Sequence, residues 1–92
     1  LPLLSLPIAG SIPPELDKLA ALQDLDLSRN QLTGHIPPEL GALSELQELR
    51  LHCNELTGSI PPGLGELAAL QYLYLSDNQL TGEFVQQFMS EA

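Results

Sequence analysis

Cysteine and tryptophan are nearly missing from this sequence. Its 92 residues include one cysteine, Cys53, and no tryptophan. A single thiol cannot form an internal disulfide, so the bridged framework of many small secreted domains is excluded within these residues. The cysteine count therefore leaves the redox compartment open.

Long apolar runs and a targeting pattern are missing as well. No run approaches the roughly 18 apolar residues that a membrane-spanning helix needs, so we expect no such helix. The opening residues 1–6 contain no basic stretch ahead of an apolar one. We therefore interpret them as a degenerate part of the fold and not as a signal peptide.

Basic residues are scarce. Three lysines and arginines stand against 12 aspartates and glutamates, which gives a net charge of -9. This charge repels phosphate backbones and anionic lipid, so nucleic-acid binding and membrane-surface binding are disfavoured. We expect protein or peptide partners that are neutral or basic, no nucleic acid and no membrane insertion by this chain.

Leucine dominates what is present. It accounts for 22 of the 92 residues, whereas phenylalanine and tyrosine together total four. Such a content of aliphatic side chains excludes a disordered chain and predicts a leucine core. The length allows one domain at most, close to the lower size limit for a single core.

The leucines belong to an internal repeat of constant period. Glycine marks this period at Gly10, Gly34, Gly58 and Gly82. More than half of the positions are identical in every pair of full copies, and the first and third copies are the most alike. We therefore divide a single domain, 1–92, into a degenerate partial repeat, 1–9; full repeats 10–33, 34–57 and 58–81; and a degenerate C-terminal repeat or cap, 82–92.

The same phase can be followed into the N-terminal segment. Leu1 and Leu3 lie one period before Leu25 and Leu27. The count also aligns Ile8 with Leu32, and it puts Leu6 at the position that Asn30 takes one period later. Segment 1–9 is therefore interpreted as the tail of a decayed repeat in the same register.

Spacing within each copy predicts its local structure. Leucines alternate with other residues in three segments, which is typical of a short strand with one buried face: Leu25–Leu27, Leu49–Leu51 and Leu73–Leu75. A constant period predicts that these strands stack in parallel. Ile-Pro-Pro follows each corner glycine and begins a short helical turn, because proline fixes φ there and lacks only an N–H that the first turn does not use.

An asparagine follows each of these strands closely, at Asn30, Asn54 and Asn78. The chain leaves the strand here and turns inward, so backbone groups lose their partners. An amide side chain both donates and accepts, and stacked asparagines can satisfy those groups. We assign all three a structural role as a ladder.

These residues resemble the plant-type, 24-residue class of the leucine-rich repeat family. Its pattern, L-x-x-L-x-x-L-x-L-x-x-N-x-L-T-G-x-I-P-x-x-L-G, is matched by Leu40, Leu43, Leu46, Leu49, Leu51, Asn54, Leu56, Thr57, Gly58, Ile60, Pro61, Leu64 and Gly65. The resemblance implies an α/β repeat fold, a right-handed leucine-rich repeat solenoid. A short parallel β-sheet would form its concave face, and short helical turns its irregular convex side. It also implies binding of proteins or peptides without catalysis.

Members of this class are often ectodomains of receptor-like kinases or receptor-like proteins, or secreted inhibitors of pathogen enzymes. They usually carry cysteine-paired caps, which this sequence lacks, and it has no Asn-x-Ser/Thr acceptor for a glycan. The resemblance favours an extracellular or cell-surface location, while these absences leave a cytoplasmic one open. Besides a binding module, two interpretations stay open: a fragment of a receptor-like ectodomain in signalling or defence, and structural spacer coils.

Candidate binding residues lie on the strand face, where stacking leaves the side chain free to vary. The variable positions in the three copies are Asp24, Asp26, Ser28, Arg29, Glu48, Arg50, His52, Cys53, Tyr72, Tyr74, Ser76 and Asp77. We select Asp24, Asp26, Glu48, Arg50, His52, Tyr72, Tyr74 and Asp77 as partner-binding residues. The tyrosines are the expected energetic anchors. Alternatively, their rings only stack on each other or on neighbouring side chains.

Catalytic and metal-binding alternatives are weak. Ser28, His52 and Ser76 share a column near aspartates, but a flat strand face offers no oxyanion donors to a hydrolase. Asp24, Asp26, Glu48 and His52 could gather around a divalent ion, yet no metal-ligand spacing supports that. We therefore predict a non-enzymatic chain without catalytic residues, metal or cofactor. Its oligomeric state is left open.

Overall fold

A computed structural model describes residues 3–5 and 9–81, a stack of short strands and 3₁₀ helices. Eight strands are present in this part of the chain: β1 Leu3–Ser5, β2 Ala9–Ser11, β3 Asp24–Asp26, β4 Gln31–Thr33, β5 Glu48–Arg50, β6 Thr57–Ser59, β7 Tyr72–Tyr74 and β8 Gln79–Thr81. The 3₁₀ helices are Pro14–Lys18, Pro38–Ala42 and Pro62–Glu66. No helix of the described residues is long and apolar enough to span a membrane.

Four strands form one parallel sheet in the order β1-β3-β5-β7. Its central register places Leu25 opposite Leu49 and Leu49 opposite Leu73. These leucines are buried, while the residues on either side of them are partly or fully exposed. The predicted parallel strands with one buried face are confirmed, and the exposed side of this sheet is the concave face.

The register of the first strand differs from the predicted one. Leu4 lies opposite Leu25, less than one full period later in the chain, so the assignment of Leu3 to the Leu27 position was wrong. Leu4-Ser5-Leu6 has the same alternation as Leu1-Pro2-Leu3, and a strand centred on Pro2 lacks a ladder N–H. Leu1, Leu6, Ile8 and the predicted cap at 82–92 lie outside the described residues.

A second set of parallel pairs joins the coils at the corner glycines. β2 pairs with β4, β6 pairs with β8, and His35 bridges to Thr57. The φ angles of Gly10, Gly34 and Gly58 lie between 79 and 84°, in the left-handed region that glycine enters without strain. The ring of His35 lies over Gly58 where a Cβ would otherwise project.

The opposite arc of each coil is a five-residue 3₁₀ helix. Each begins at the second proline of an Ile-Pro-Pro motif, in accordance with the predicted proline start. In the first coil the backbone N–H of Leu19 donates to the carbonyl of Leu16 over 3.1 Å. Leu16 and its counterparts Leu40 and Leu64 are buried and complete the leucine core.

Asparagines bind the backbone at the exit of each strand. Asn54 is only 8% exposed, and its Oδ1 accepts from the N–H groups of Asn30 and Leu32 at 3.2 and 3.1 Å. Its Nδ2 donates to the carbonyls of Leu27 and Leu51 at 3.0 Å. One side chain thus satisfies backbone groups in two coils. One coil later, Asn78 accepts from the N–H of Leu56 and donates to the carbonyls of Leu51 and Leu75.

Candidate functional site

The outward side chains of β3, β5 and β7 form two straight rows across the concave face. Pairing places Asp24, Glu48 and Tyr72 side by side in the first row. It places Asp26, Arg50 and Tyr74 side by side in the second. Adjacent strands lie about 4.8 Å apart, so neighbours in a row are in contact range.

Arg50 occupies the centre of the second row and contacts residues of both rows. Its Nη1 lies 3.4 Å from Oδ2 of Asp26, and its Nη2 forms an ion pair with Oε2 of Glu48. Its Cζ also lies 6.0 Å from the centre of the Tyr74 ring, at the outer range of a cation–π contact. One guanidinium therefore links both rows.

The two tyrosines stack on each other. Their ring centres are 6.5 Å apart and their planes differ by 6°. The ring of His52 approaches Tyr74 edge-on at 5.8 Å. The stacking raised as an alternative on sequence grounds is therefore present. It supports Tyr74 from both sides and leaves Tyr72 52% exposed.

The carboxylates of the two rows differ in environment. Burial, followed by the negative charge of Glu48, raises the pKa of Asp24. No described residue hydrogen bonds to its buried Oδ1. Burial acts on Asp26 in the same sense, but hydrogen bonds from Ser28 and Arg50 outweigh it and hold the Asp26 pKa below its ordinary value. The ionised form of Asp24 is therefore stabilised by fewer hydrogen bonds than that of Asp26.

A shallow depression of about 450 Å³ opens beside the second row. It is lined by Asp26, Ser28, Arg29, Arg50, His52 and Tyr74. Four of the eight selected residues line it, and Asp24, Glu48 and Tyr72 form the adjoining first row. Ser28 and Arg29 were recognised as free positions but not selected, although their place one and two residues after Leu27 was a usable signal.

Asp77 lies apart from both rows. It shares with Arg29 and Cys53 a left-handed backbone, with φ angles of 59 to 61°. Non-glycine residues rarely adopt this conformation, and here it turns the chain off the strand so that the next asparagine points inward. The Oδ2 atom of Asp77 lies 3.7 Å from Sγ of Cys53.

Ser28 and His52 share a column but contact different partners. The Oγ atom of Ser28 donates to Asp26 at 2.6 Å. His52, the imidazole in the same column, instead contacts Tyr74. Within residues 3–5 and 9–81, no three histidine, cysteine, aspartate or glutamate side chains are grouped so that they could hold a metal ion.

The stacked coils and buried leucines define a class of protein, the solenoids built of short repeats. The family model described as leucine rich repeat matches residues 20–80. The chain belongs to the leucine-rich repeat family, and its repeats are of the plant type. No curated protein matches the chain.

Solved plant structures share this fold. The ectodomain of the receptor kinase GASSHO1/SCHENGEN3 from Arabidopsis thaliana, in complex with CASPARIAN STRIP INTEGRITY FACTOR 2, is 49% identical at a TM-score of 0.79. The match covers 80% of this chain and 9% of that one. The Arabidopsis receptor kinase HAESA, in complex with the peptide hormone IDA and the co-receptor SERK1, is 51% identical at 0.75 over 78% of this chain and 12% of that one.

A third similar structure has another function. It is a plant ice-binding protein, 40% identical at a TM-score of 0.85, and the match covers 100% of this chain and 31% of that one. This chain therefore spans less than a third of each of the three proteins. It is homologous to ligand-binding ectodomains of plant receptor kinases, and such repeats are typically non-enzymatic.

Proposed function

We propose that these repeats belong to the ligand-binding ectodomain of a plant receptor-like kinase or receptor-like protein. In this proposal they bind an extended peptide or protein segment across the concave face. The similarity to HAESA, which is in complex with the peptide hormone IDA, and to GASSHO1/SCHENGEN3, which is in complex with CASPARIAN STRIP INTEGRITY FACTOR 2, supports this interpretation. The role proposed for the chain itself is recognition without catalysis.

The observation that carries the proposal is the exposure of Tyr72. A tyrosine ring that the core does not need, 52% exposed and stacked on a second ring, has the chemistry of a binding anchor. Tyr74 is held in place by Arg50 and His52, so Tyr72 rests on a supported surface. A rigid aromatic surface loses little conformational entropy when a partner binds to it.

The size of the face argues that the described coils supply only part of a site. At about 4.8 Å per strand, β3, β5 and β7 span roughly 10 Å. Stable protein interfaces bury about 800 Å² on each partner, which exceeds what this strip offers. We infer that affinity depends on neighbouring coils as well, and that these repeats alone bind weakly.

A random peptide library displayed on phage tests the proposal. It is panned on the 92-residue chain, and each selected peptide is then assayed against the Tyr72→Ala, Tyr74→Ala double variant. Peptides that anchor on the concave face lose binding to that variant. They keep binding to a control with Glu15→Ala and Glu39→Ala on the face formed by the 3₁₀ helices.

Two outcomes contradict the proposal. Peptides that bind the double variant as well as the unchanged chain would assign recognition to another surface. Because each phage carries several copies of its peptide, avidity retains even weak ligands. A selection that yields no peptide would therefore favour the spacer interpretation, in which these coils only extend a solenoid. Urea unfolding of both variants shows that the comparison is made between folded chains.

A further inference from the structure

We propose, resting on the function above, that the concave face selects segments carrying a lysine or arginine. The cationic side chain lies along the ring of Tyr72, and its charge sits between the carboxylates of Asp24 and Glu48. The docking surface is the first row of the sheet, and its occupant is a basic side chain of an extended peptide.

The second row shows how such a cation is held. There the guanidinium of Arg50 is paired with Asp26 and lies beside the ring of Tyr74. The chain itself thus supplies an acid, a base and an aromatic ring on three adjacent strands. The contact is built from short-range ionic and cation–π attraction, and both favour a planar or extended cationic side chain.

The first row repeats the acid and the ring of this arrangement but has no basic residue of its own. Its nearest cation is Arg50, whose guanidinium already pairs with Glu48. Pairing gives Asp24, Glu48 and Tyr72 in the same three strands, so the middle position carries a second carboxylate in place of a base. Asp24 has no hydrogen-bond partner at Oδ1 among the described residues. The exposed ring of Tyr72 ends the row, where the aliphatic stem of a lysine or arginine can pack.

The charge of the two rows favours a positively charged side chain in the bound segment. The two rows contain three carboxylates against the single guanidinium of Arg50, which Asp26 and Glu48 already share. Burial raises the pKa of Asp24, and the negative charge of Glu48 raises it further, by more than the positive charge of Arg50 lowers it. An anionic segment would have to approach Asp24 and Glu48 against this repulsion, and a net charge of -9 adds to it at long range.

A set of matched peptides tests this selectivity. Blocked heptapeptides Ac-Ser-Ala-Ser-Xaa-Ser-Ala-Ser-NH2, with lysine, arginine, norleucine or glutamate at the variable position, are titrated into the isotope-labelled chain. Backbone amide shifts report both the affinity and the place of binding. We expect the lysine and arginine peptides to shift the amides of Asp24, Glu48 and Tyr72. They should bind about tenfold more tightly than the glutamate and norleucine peptides, equivalent to roughly 1.4 kcal/mol.

Variants distinguish recognition by the first row from a general effect of the negative net charge of the chain. The Asp24→Asn, Glu48→Gln variant should lose the preference for lysine over norleucine. Asp17→Asn, the same kind of charge change on a 3₁₀ helix, should keep it. Equal binding of the norleucine and lysine peptides at Tyr72 would overturn the cation preference while leaving the proposed concave-face binding intact. Stronger shifts of the same amides by calcium chloride alone would overturn it in favour of a metal site.

Discussion

Arg50 and Asp26 face each other directly across β3 and β5, with 3.4 Å between Nη1 and Oδ2. They lie one full repeat apart in the sequence, so this contact exists only because the coils stack in register. The same guanidinium reaches Glu48 on its own strand and the ring of Tyr74 on the next. The repeat thereby turns isolated variable positions into a connected surface on three strands.

The Arg50–Asp26 pair should contribute little to stability. Its side chains are 37% and 24% exposed, so water screens the attraction. In a double-mutant cycle with Arg50→Ala and Asp26→Ala, we expect a small favourable coupling by urea unfolding, and a smaller one at high salt. No measurable coupling, or a coupling that salt leaves unchanged, would argue that the pair does not form in solution.

Asp24 and Asp26 should have opposite effects on the pH dependence of stability. The Asp26 pKa is lowered in the folded state, so its ionisation stabilises the fold above the unfolded pKa, and this contribution is lost as pH falls through the folded value. The Asp24 pKa is raised, so its ionised form opposes folding at neutral pH. Asp24→Asn should therefore raise the free energy of unfolding at neutral pH, and Asp26→Asn should lower it.

Acid unfolding curves check both signs. The difference in the free energy of unfolding between each variant and the parent should shrink as pH falls through the acidic range in which these carboxylates titrate. Both differences should vanish once the carboxylates are protonated in the folded and unfolded chains. Glu66→Gln, an exposed change on a 3₁₀ helix, serves as the control. An Asp24→Asn chain that is less stable than the parent at neutral pH would show that the environment of Asp24 is misassigned.

Asn54 should be the most costly asparagine to alter among the described positions. Asn54→Ala removes the acceptor used by the N–H groups of Asn30 and Leu32 and the donor to Leu27 and Leu51. Since each unsatisfied buried group costs about 1 to 3 kcal/mol, we expect a loss of about 3 kcal/mol in the free energy of unfolding. Gln31→Ala, an exposed amide on β4, should change it by less than about 0.5 kcal/mol. Equal losses would contradict the ladder.

Gly58 and His35 offer a test of the corner geometry. Gly34→Ala introduces only the strain of a left-handed φ, because the nearest atom to the new methyl group is Cβ of Ser11 at 3.8 Å. Gly58→Ala introduces the same strain and also collides with the ring of His35. We expect a loss of about 1 to 2 kcal/mol for Gly34→Ala and more for Gly58→Ala.

Thermal and urea unfolding measure this difference, and a second variant isolates its cause. Adding His35→Ala to Gly58→Ala should return the loss to the level of Gly34→Ala, after subtraction of the effect of His35→Ala alone. If Gly58→Ala and Gly34→Ala destabilise the chain equally, the histidine ring does not occupy that space.

The period accounts for most of what could be predicted about the fold. Stacking forces Leu25, Leu49 and Leu73 into one buried column, and proline forces the start of each 3₁₀ helix, so both follow from the pattern. The strand β1 did not follow, because Leu1-Pro2-Leu3 and Leu4-Ser5-Leu6 alternate equally well. Pro2, which offers no N–H to a ladder, was the one sequence signal that distinguishes them, and the strand register agrees with it.

The contacts of the binding surface were harder to predict from the sequence than the core. Its columns could be named because the side chains vary there. Which carboxylates Arg50 contacts depends on rotamers that a pattern does not encode. Asp77 was selected from its column, and its left-handed backbone angle is a further feature that the pattern did not predict. A leucine two residues earlier gives no direct indication of that backbone angle.

The most direct test of the account is the affinity of a library-selected peptide for the Tyr72→Ala chain relative to the unchanged chain. Tyr72 is exposed, so this variant should unfold at the same urea concentration as its parent. We expect the dissociation constant to rise about tenfold or more, because the variant loses an aromatic anchor. An unchanged dissociation constant, measured on equally stable chains, would contradict recognition through the concave face.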